Sequence, residues 1–155
     1  MRESWKGRWA RWRFNLFPAW RGTGARIDFI SDDWREVRVR LPLNWRTRNY
    51  VGTIFGGSLY GAADPVLMIM LMRNLGPAYT VWDKAATIRF LKPGRTTLYV
   101  RFFIDETELA EIRRLLESAP SIDRVYVVEL ADAAGVAHAR VEKTIYIRKN
   151  AAQAR

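Results

Sequence analysis

The 155-residue sequence has no cysteine and a single histidine, His138. These scarcities exclude disulfide frameworks, thiolate nucleophiles, cysteine metal sites and the usual histidine clusters, so neither a metal site nor a cofactor is expected. Long apolar runs are scarce too. The longest, residues 59–72, falls short of the roughly 20 residues that cross a bilayer and is interrupted by Asp64-Pro65, which favours a buried core helix. The opening Met-Arg-Glu-Ser-Trp-Lys lacks the apolar core and cleavage site of a signal peptide, and the absence of cysteine suits a reducing cytoplasm. Acidic residues are outnumbered 16 to 26, giving a formal charge of +10. Much of the excess sits at the start, where Arg2, Lys6, Arg8, Arg11, Arg13, Arg21 and Arg26 face only Glu3. Such a charge attracts phosphates on coenzyme A, a membrane surface or nucleic acid without choosing among them.

What is present suffices for a core: 49% of the residues are hydrophobic, and the length fits one domain over 1–155. Trp5, Trp9, Trp12, Leu16 and Trp20 recur at steps of three and four, while Lys6, Arg8, Arg11 and Arg13 fall between them. Residues 1–22 therefore predict an amphipathic helical extension ahead of a core at 24–148. The Trp stripe is expected to pack on its own domain or on a sister subunit, with peripheral contact to an anionic membrane as the second reading. Nucleic acid is disfavoured, because no recognised motif accompanies the basic segment.

Residues 25–31 and 36–41 alternate as strands do and read as a hairpin. Ser58, after Gly56-Gly57, is expected to cap a helix that ends at Asn74-Leu75-Gly76 and is apolar on nearly every face. Pro65 lies inside it, four residues beyond Gly61, and predicts a local bend beside Asp64. Residues 79–91, 96–104, 124–131 and 136–148 are strands rich in Val, Ile, Thr, Tyr and Phe, and a charged helix over 106–118 separates the two pairs. A small polar tail follows Lys149. The sum is an α+β chain in which a curved antiparallel sheet wraps the apolar helix.

Within that helix, Asp64 is the residue that asks for a reason. A lone buried carboxylate is costly unless compensated, and chemistry is one source of compensation. Gly56 and Gly57 at the helix start would let a carbonyl approach backbone amides at its positive end, and Asp64 would activate water or attack the carbonyl itself. Strand alternation puts Lys84 on a face with Trp82, Ala86, Ile88 and Phe90, and Lys143 on one with Val141, Ile145 and Ile147. A lysine on an apolar face needs a partner, for which Asp64, Asp83 and Glu129 are the candidates. Such pairs would serve packing specificity, tune Asp64 or grip the phosphates of coenzyme A. Asn49 reads either as a turn former or as a site residue. His138 reads as a core-edge or solvent-facing residue of the last strand.

This pattern resembles the hotdog-fold superfamily, whose sheet wraps one long helix and whose members are mostly acyl-thioester hydrolases. The segment Asn49-x-x-Gly52-x-x-Phe55-Gly56-Gly57, with Asp64 seven positions beyond Gly57, is similar to the Asn-x-x-Gly-x-x-His-Gly-Gly signature of phenylacetate-pathway type thioesterases. The wider wording, including Ser58, Val81-Trp82-Asp83-Lys84-Ala85 and residues 143–148, looks closer to an uncharacterised branch, domain of unknown function 4442. The resemblance implies Asp64, Gly57 and Asn49 as catalytic residues, and Phe55, Gly56, Ser58, Trp82 and Lys84 as contacts to an acyl-CoA or related thioester. It also implies a homodimer, or a dimer of dimers, with amides and carboxylate coming from different subunits. Phe55 stands where those enzymes carry histidine, so that imidazole is missing. The other reading is therefore a non-catalytic acyl-CoA or lipid binding protein.

Overall fold

Six alternating segments pair into one antiparallel sheet in the computed structural model, which describes residues 3–150. The strands are β1 (Arg26–Ile30), β2 (Glu36–Leu41), β3 (Tyr79–Phe90), β4 (Leu98–Phe103), β5 (Ser121–Ala131) and β6 (Ala137–Lys149), in the spatial order β1-β2-β4-β5-β6-β3. Alternation decides which face each strand buries. Val37, Val39 and Leu41 of β2, Leu98, Val100 and Phe102 of β4, and Val141, Ile145 and Ile147 of β6 all point into the core. The expected strands are present, 36–41 at the expected bounds and the other ends shifted by at most three residues. Beyond residue 150 the polar tail lies outside the described residues.

The helices are α1 (Trp5–Leu16), α2 (Pro18–Thr23), α3 (Gly56–Gly61), α4 (Val66–Leu75) and α5 (Glu106–Ser118). Leu59, Ala62, Ala63, Val66, Leu67, Met70 and Leu71 fill the hollow of the sheet, each fully buried large side chain contributing about 1.5–3 kcal/mol. The sheet wraps the apolar helical segment, which makes this a hotdog fold. α5 begins where Asp105 accepts a hydrogen bond from the Glu108 amide, and it covers one end of the sheet with Leu109, Ile112 and Leu116.

The single bent helix expected over 58–75 is two helices. The ladder runs to Ala63, whose amide bonds to the Tyr60 carbonyl, and resumes only at Ile69, whose amide bonds to the Pro65 carbonyl. Pro65 has no N–H to offer and stands as the N-cap of α4, so residues 62–65 form a turn instead of a bend. The first helix also starts earlier than expected, at Gly56 behind Phe55, with Ser58 inside it. The stop is as read: Gly76 adopts φ 83° and returns its amide to the Met72 carbonyl.

The two borders of the sheet differ. At β1, Asn15 of α1 donates to the Ile27 carbonyl and accepts from the Ile27 amide, both at 2.9 Å, while Glu3 accepts from the Ile30 amide. Gly7 allows this docking, because a Cβ there would lie 2.7 Å from the Ile30 carbonyl oxygen. Among the described residues β3, at the opposite border, pairs with β6 alone, and most of its length is exposed.

Glu36 of β2 is buried between Arg101 and Arg38, at 2.7 and 2.8 Å. The Arg101 hydrogen bond, then that of Arg38, holds its carboxyl near pH 2, against 4.5 for the free side chain. A carboxyl whose pKa is lowered by folding stabilises the chain above its unfolded value and loses that effect as pH falls toward the folded one. The unfolding free energy measured in urea should therefore drop between about pH 4.5 and 2, by about 2 kcal/mol once the exposure of both arginines is allowed for. Glu36→Gln should flatten that part of the profile, and an unchanged slope would refute the assignment.

Candidate active site

The broken helix turns the Asp64 side chain toward an open groove of about 940 Å³ instead of into the core. The burial expected of this carboxylate is therefore corrected: its side chain is 44% exposed, and the buried ion beside it is Lys143, at 0%. The groove is walled by Trp9 and Phe14 of α1, Trp20 of α2, Asp64 and Pro65 at the turn, and Ile69 of α4.

Tyr60, one turn earlier on α3, donates its hydroxyl to Asp64 Oδ1 at 2.6 Å. Lys143 reaches up from β6, donating to the Asp64 backbone carbonyl and lying 3.4 Å from the same Oδ1. Its nearest carboxylate is Asp83 Oδ2 on β3, at 2.9 Å. Burial raises the Asp83 carboxyl above the ordinary aspartate range, with the Lys143 hydrogen bond acting against it. Burial and the Asp64 contact likewise raise the Tyr60 hydroxyl, so Tyr60 remains a proton donor at neutral pH. Among the described residues Asp64 Oδ2 has no hydrogen-bond partner. The arrangement is a carboxylate oriented through one oxygen, backed by a buried cation, with its second oxygen free to take a proton from water.

Of the lysine partners read from the sequence, Asp64 and Asp83 meet Lys143, whereas Glu129 pairs with Arg140. Lys84 does not lie on the apolar face expected of it. The pairing of β3 with β6 shifts between Asp83 and Ala85, and this bulge sends Lys84 outward to Asp123 at 2.6 Å. Trp82, half-exposed, stacks on Tyr146 with ring centroids 4.8 Å apart. Neither residue lines the Asp64 groove.

Gly56 and Gly57 open α3 on a separate surface. A Cβ on Gly57 would meet the Phe55 ring and one on Gly56 the Phe90 ring, so the glycines let both exposed aromatics lie against the turn. Ser58 is buried behind them. The Asn49 side chain is used within its own loop: Oδ1 accepts from the Val51 and Thr53 amides, and Nδ2 donates to Thr53 Oγ1. One chain thus leaves the glycine turn and Asp64 apart. His138 is a structural residue at the core edge, its nitrogens 3.0 Å from the Pro93 carbonyl and 3.1 Å from Asp132.

Sequence reasoning missed Tyr60, Trp20 and the α1 wall. The Tyr60 to Asp64 spacing of four was the available signal, since such a pair shares a helical face. Among the described residues no group of His, Asp and Glu is placed to hold a metal ion.

The fold and this site define a hotdog protein with an acidic residue at the break of its central helix. Residues 9–147 match the family described as Domain of unknown function (DUF4442), and the chain belongs to that family. No curated protein matches it. Among solved structures it is similar to PA5026 of Pseudomonas aeruginosa, a protein of unknown function called a probable thioesterase. The TM-score is 0.80 at 18% identity, covering 92% of this chain and 95% of that one. It is also similar to the Haemophilus influenzae thioesterase HI1161, with TM-score 0.67, 14% identity, and coverage of 92% and 91%. These likenesses establish the shared fold.

Proposed function

We propose that this chain hydrolyses an acyl-CoA or related acyl thioester with Asp64 as the acting carboxylate. The observation that carries the proposal is the Asp64 carboxylate, fixed by Tyr60 and Lys143 at the wall of an apolar groove with one oxygen unengaged. In this reading Asp64 takes a proton from water as the oxygen adds to the thioester carbon. The carbonyl becomes an oxyanion held by backbone amides, the C–S bond breaks, and the thiolate leaves and is protonated. Lys6, Arg13 and Arg73 at the groove supply positive charge for the phosphates of a coenzyme A carrier.

The amides would come from a second copy, at the Gly57 of the partner subunit. The unpaired border of β3 and the exposed apolar side chains of Tyr50, Val51, Phe55, Trp82 and Phe90 support pairing between copies. A non-catalytic acyl-CoA binding role is the second reading, and the observation favouring it is Phe55 where related thioesterases have histidine.

The absence of cysteine makes the test direct, because a thiol-reactive chromogen reports only released carrier thiol. Incubating the full chain with acyl-CoAs of increasing chain length should release thiol with saturation kinetics. Saturable binding measured by calorimetry with no thiol release at any length would replace hydrolysis by the binding role.

A further inference from the structure

α1 has two opposite faces, and one of them is packed against the sheet. Gly7, Ala10 and Phe14 turn toward β1 and the core. The other face is a ridge of Trp5, Trp9, Trp12 and Leu16 at steps of four, three and four, with the three tryptophans 68%, 54% and 60% exposed and Phe17 continuing the line. For Trp5, Trp9 and Trp12 this overturns the expectation of packing on their own domain, whereas Trp20 of the same stripe is buried in the core. Lys6 and Arg13 flank the ridge on one side and Arg8 on the other. Among the described residues none of these three cations has an ion-pair partner, and Arg13 lies over the Trp9 ring at 4.7 Å. Glu3, the one acid in the segment before Pro18, is spent on Arg11 at 2.9 Å.

We propose that α1 docks this protein on an anionic lipid surface, with the tryptophan ridge in the headgroup layer and Lys6, Arg8 and Arg13 on lipid phosphates. Tryptophan suits that layer, since its ring is apolar and its N–H wants a wet partner. Cations beside the ridge complement anionic headgroups. A second copy fits less well. Symmetric pairing would set the same patch against itself and bring unpaired cations together on a chain of net charge +10. No helix among the described residues is long and apolar enough to cross a membrane, so docking would be peripheral. The ridge is held in place because α1 is fixed to β1 through Asn15, Glu3 and Gly7.

The inference shares Lys6, Trp9 and Arg13 with the groove of the hydrolytic reading, but its test needs no turnover, so the two can fail separately. Full-length protein is sedimented with phosphatidylcholine vesicles that contain phosphatidylglycerol and with vesicles of phosphatidylcholine alone. The expected result is binding to the anionic vesicles that weakens with salt, falls roughly tenfold or more in Trp5→Glu/Trp12→Glu, and falls about fivefold per charge in Lys6→Gln/Arg8→Gln. Thermal melting of both variants should match wild type, because the replaced side chains are exposed. Equal binding to both vesicle types, or to neither, would overturn the proposal. So would conversion of an oligomer to monomer by Trp5→Glu/Trp12→Glu, which would make the ridge an interface between copies. Retention on a single-stranded oligonucleotide that matches the vesicle affinity and is lost in the same variant would overturn it in favour of nucleic acid.

Discussion

Lys143→Met should cost about 3–5 kcal/mol of folding stability at pH 7, a large share of what a domain of this size possesses. Methionine fills the space of the lysine stem, so the loss arises from charge and not from a cavity. Lys143 is the one cation in the inward row of β6, between Val141 and Ile145, and it compensates the half-buried Asp83. Without it Asp83 faces an apolar core, where one of its oxygens already lacks a partner. The pH dependence has a definite sign. Burial raises the folded Asp83 carboxyl, so the folded state holds its proton more firmly than the unfolded chain, and this group's contribution weakens as pH rises above 3.8. In Lys143→Met that effect grows, so the variant should recover stability as pH falls from 7 toward 5, above the window in which Glu36 acts. Lys143→Met/Asp83→Asn should regain most of the loss, as removal of both partners of a buried pair often does. Urea unfolding of wild type, Lys143→Met, Asp83→Asn and the double variant at two pH values measures the cycle. A single variant as stable as wild type at pH 7 would show that the pair carries no such weight.

Asp64→Asn should reduce thioester hydrolysis about 10²–10⁴-fold, the range associated with a positioned general base, while leaving the melting temperature nearly unchanged. The contrast with Lys143 follows from geometry. Asp64 is half-exposed, and asparagine keeps an oxygen for the Tyr60 hydroxyl. The acceptor that Lys143 uses most closely is the Asp64 backbone carbonyl, which substitution does not alter. Tyr60→Phe should lower turnover less, since it frees the carboxylate to rotate without removing it. Full turnover in Asp64→Asn would end the catalytic proposal and would leave the fold untouched.

Much of the architecture is legible because burial on one face leaves a periodic trace. The α5 helix is bounded by Asp105 and by the loss of periodicity at Ala119, and its range was read correctly at both ends. Lys143 was readable for the same reason, as a charge in an otherwise apolar alternating row. The misreadings have physical causes. An apolar run reports composition, and it does not report which face of the run a lone acid takes. Pro65 permits either a bend or a full interruption, and the packing of Gly61 against Thr23 is not visible one-dimensionally. In α1 the tryptophans looked like the packing face because they carry most of the apolar area. Gly7 decided otherwise, since only a residue without a side chain lets the helix come so close to Ile30. Lys84 was misplaced by a bulge that adds one residue and reverses the count. The glycine turn and Asp64 lie apart in one chain, and no periodicity could reveal whether another molecule joins them.

The unequal borders of the sheet limit how it can grow. A molecule that added itself along β3 would find the far side of each partner already stoppered by the α1 segment, with Asn15 occupying the main-chain groups of Ile27 that a newcomer would need. Strand addition along β3 would therefore end after one step, a geometry that disfavours open-ended polymerisation through the sheet.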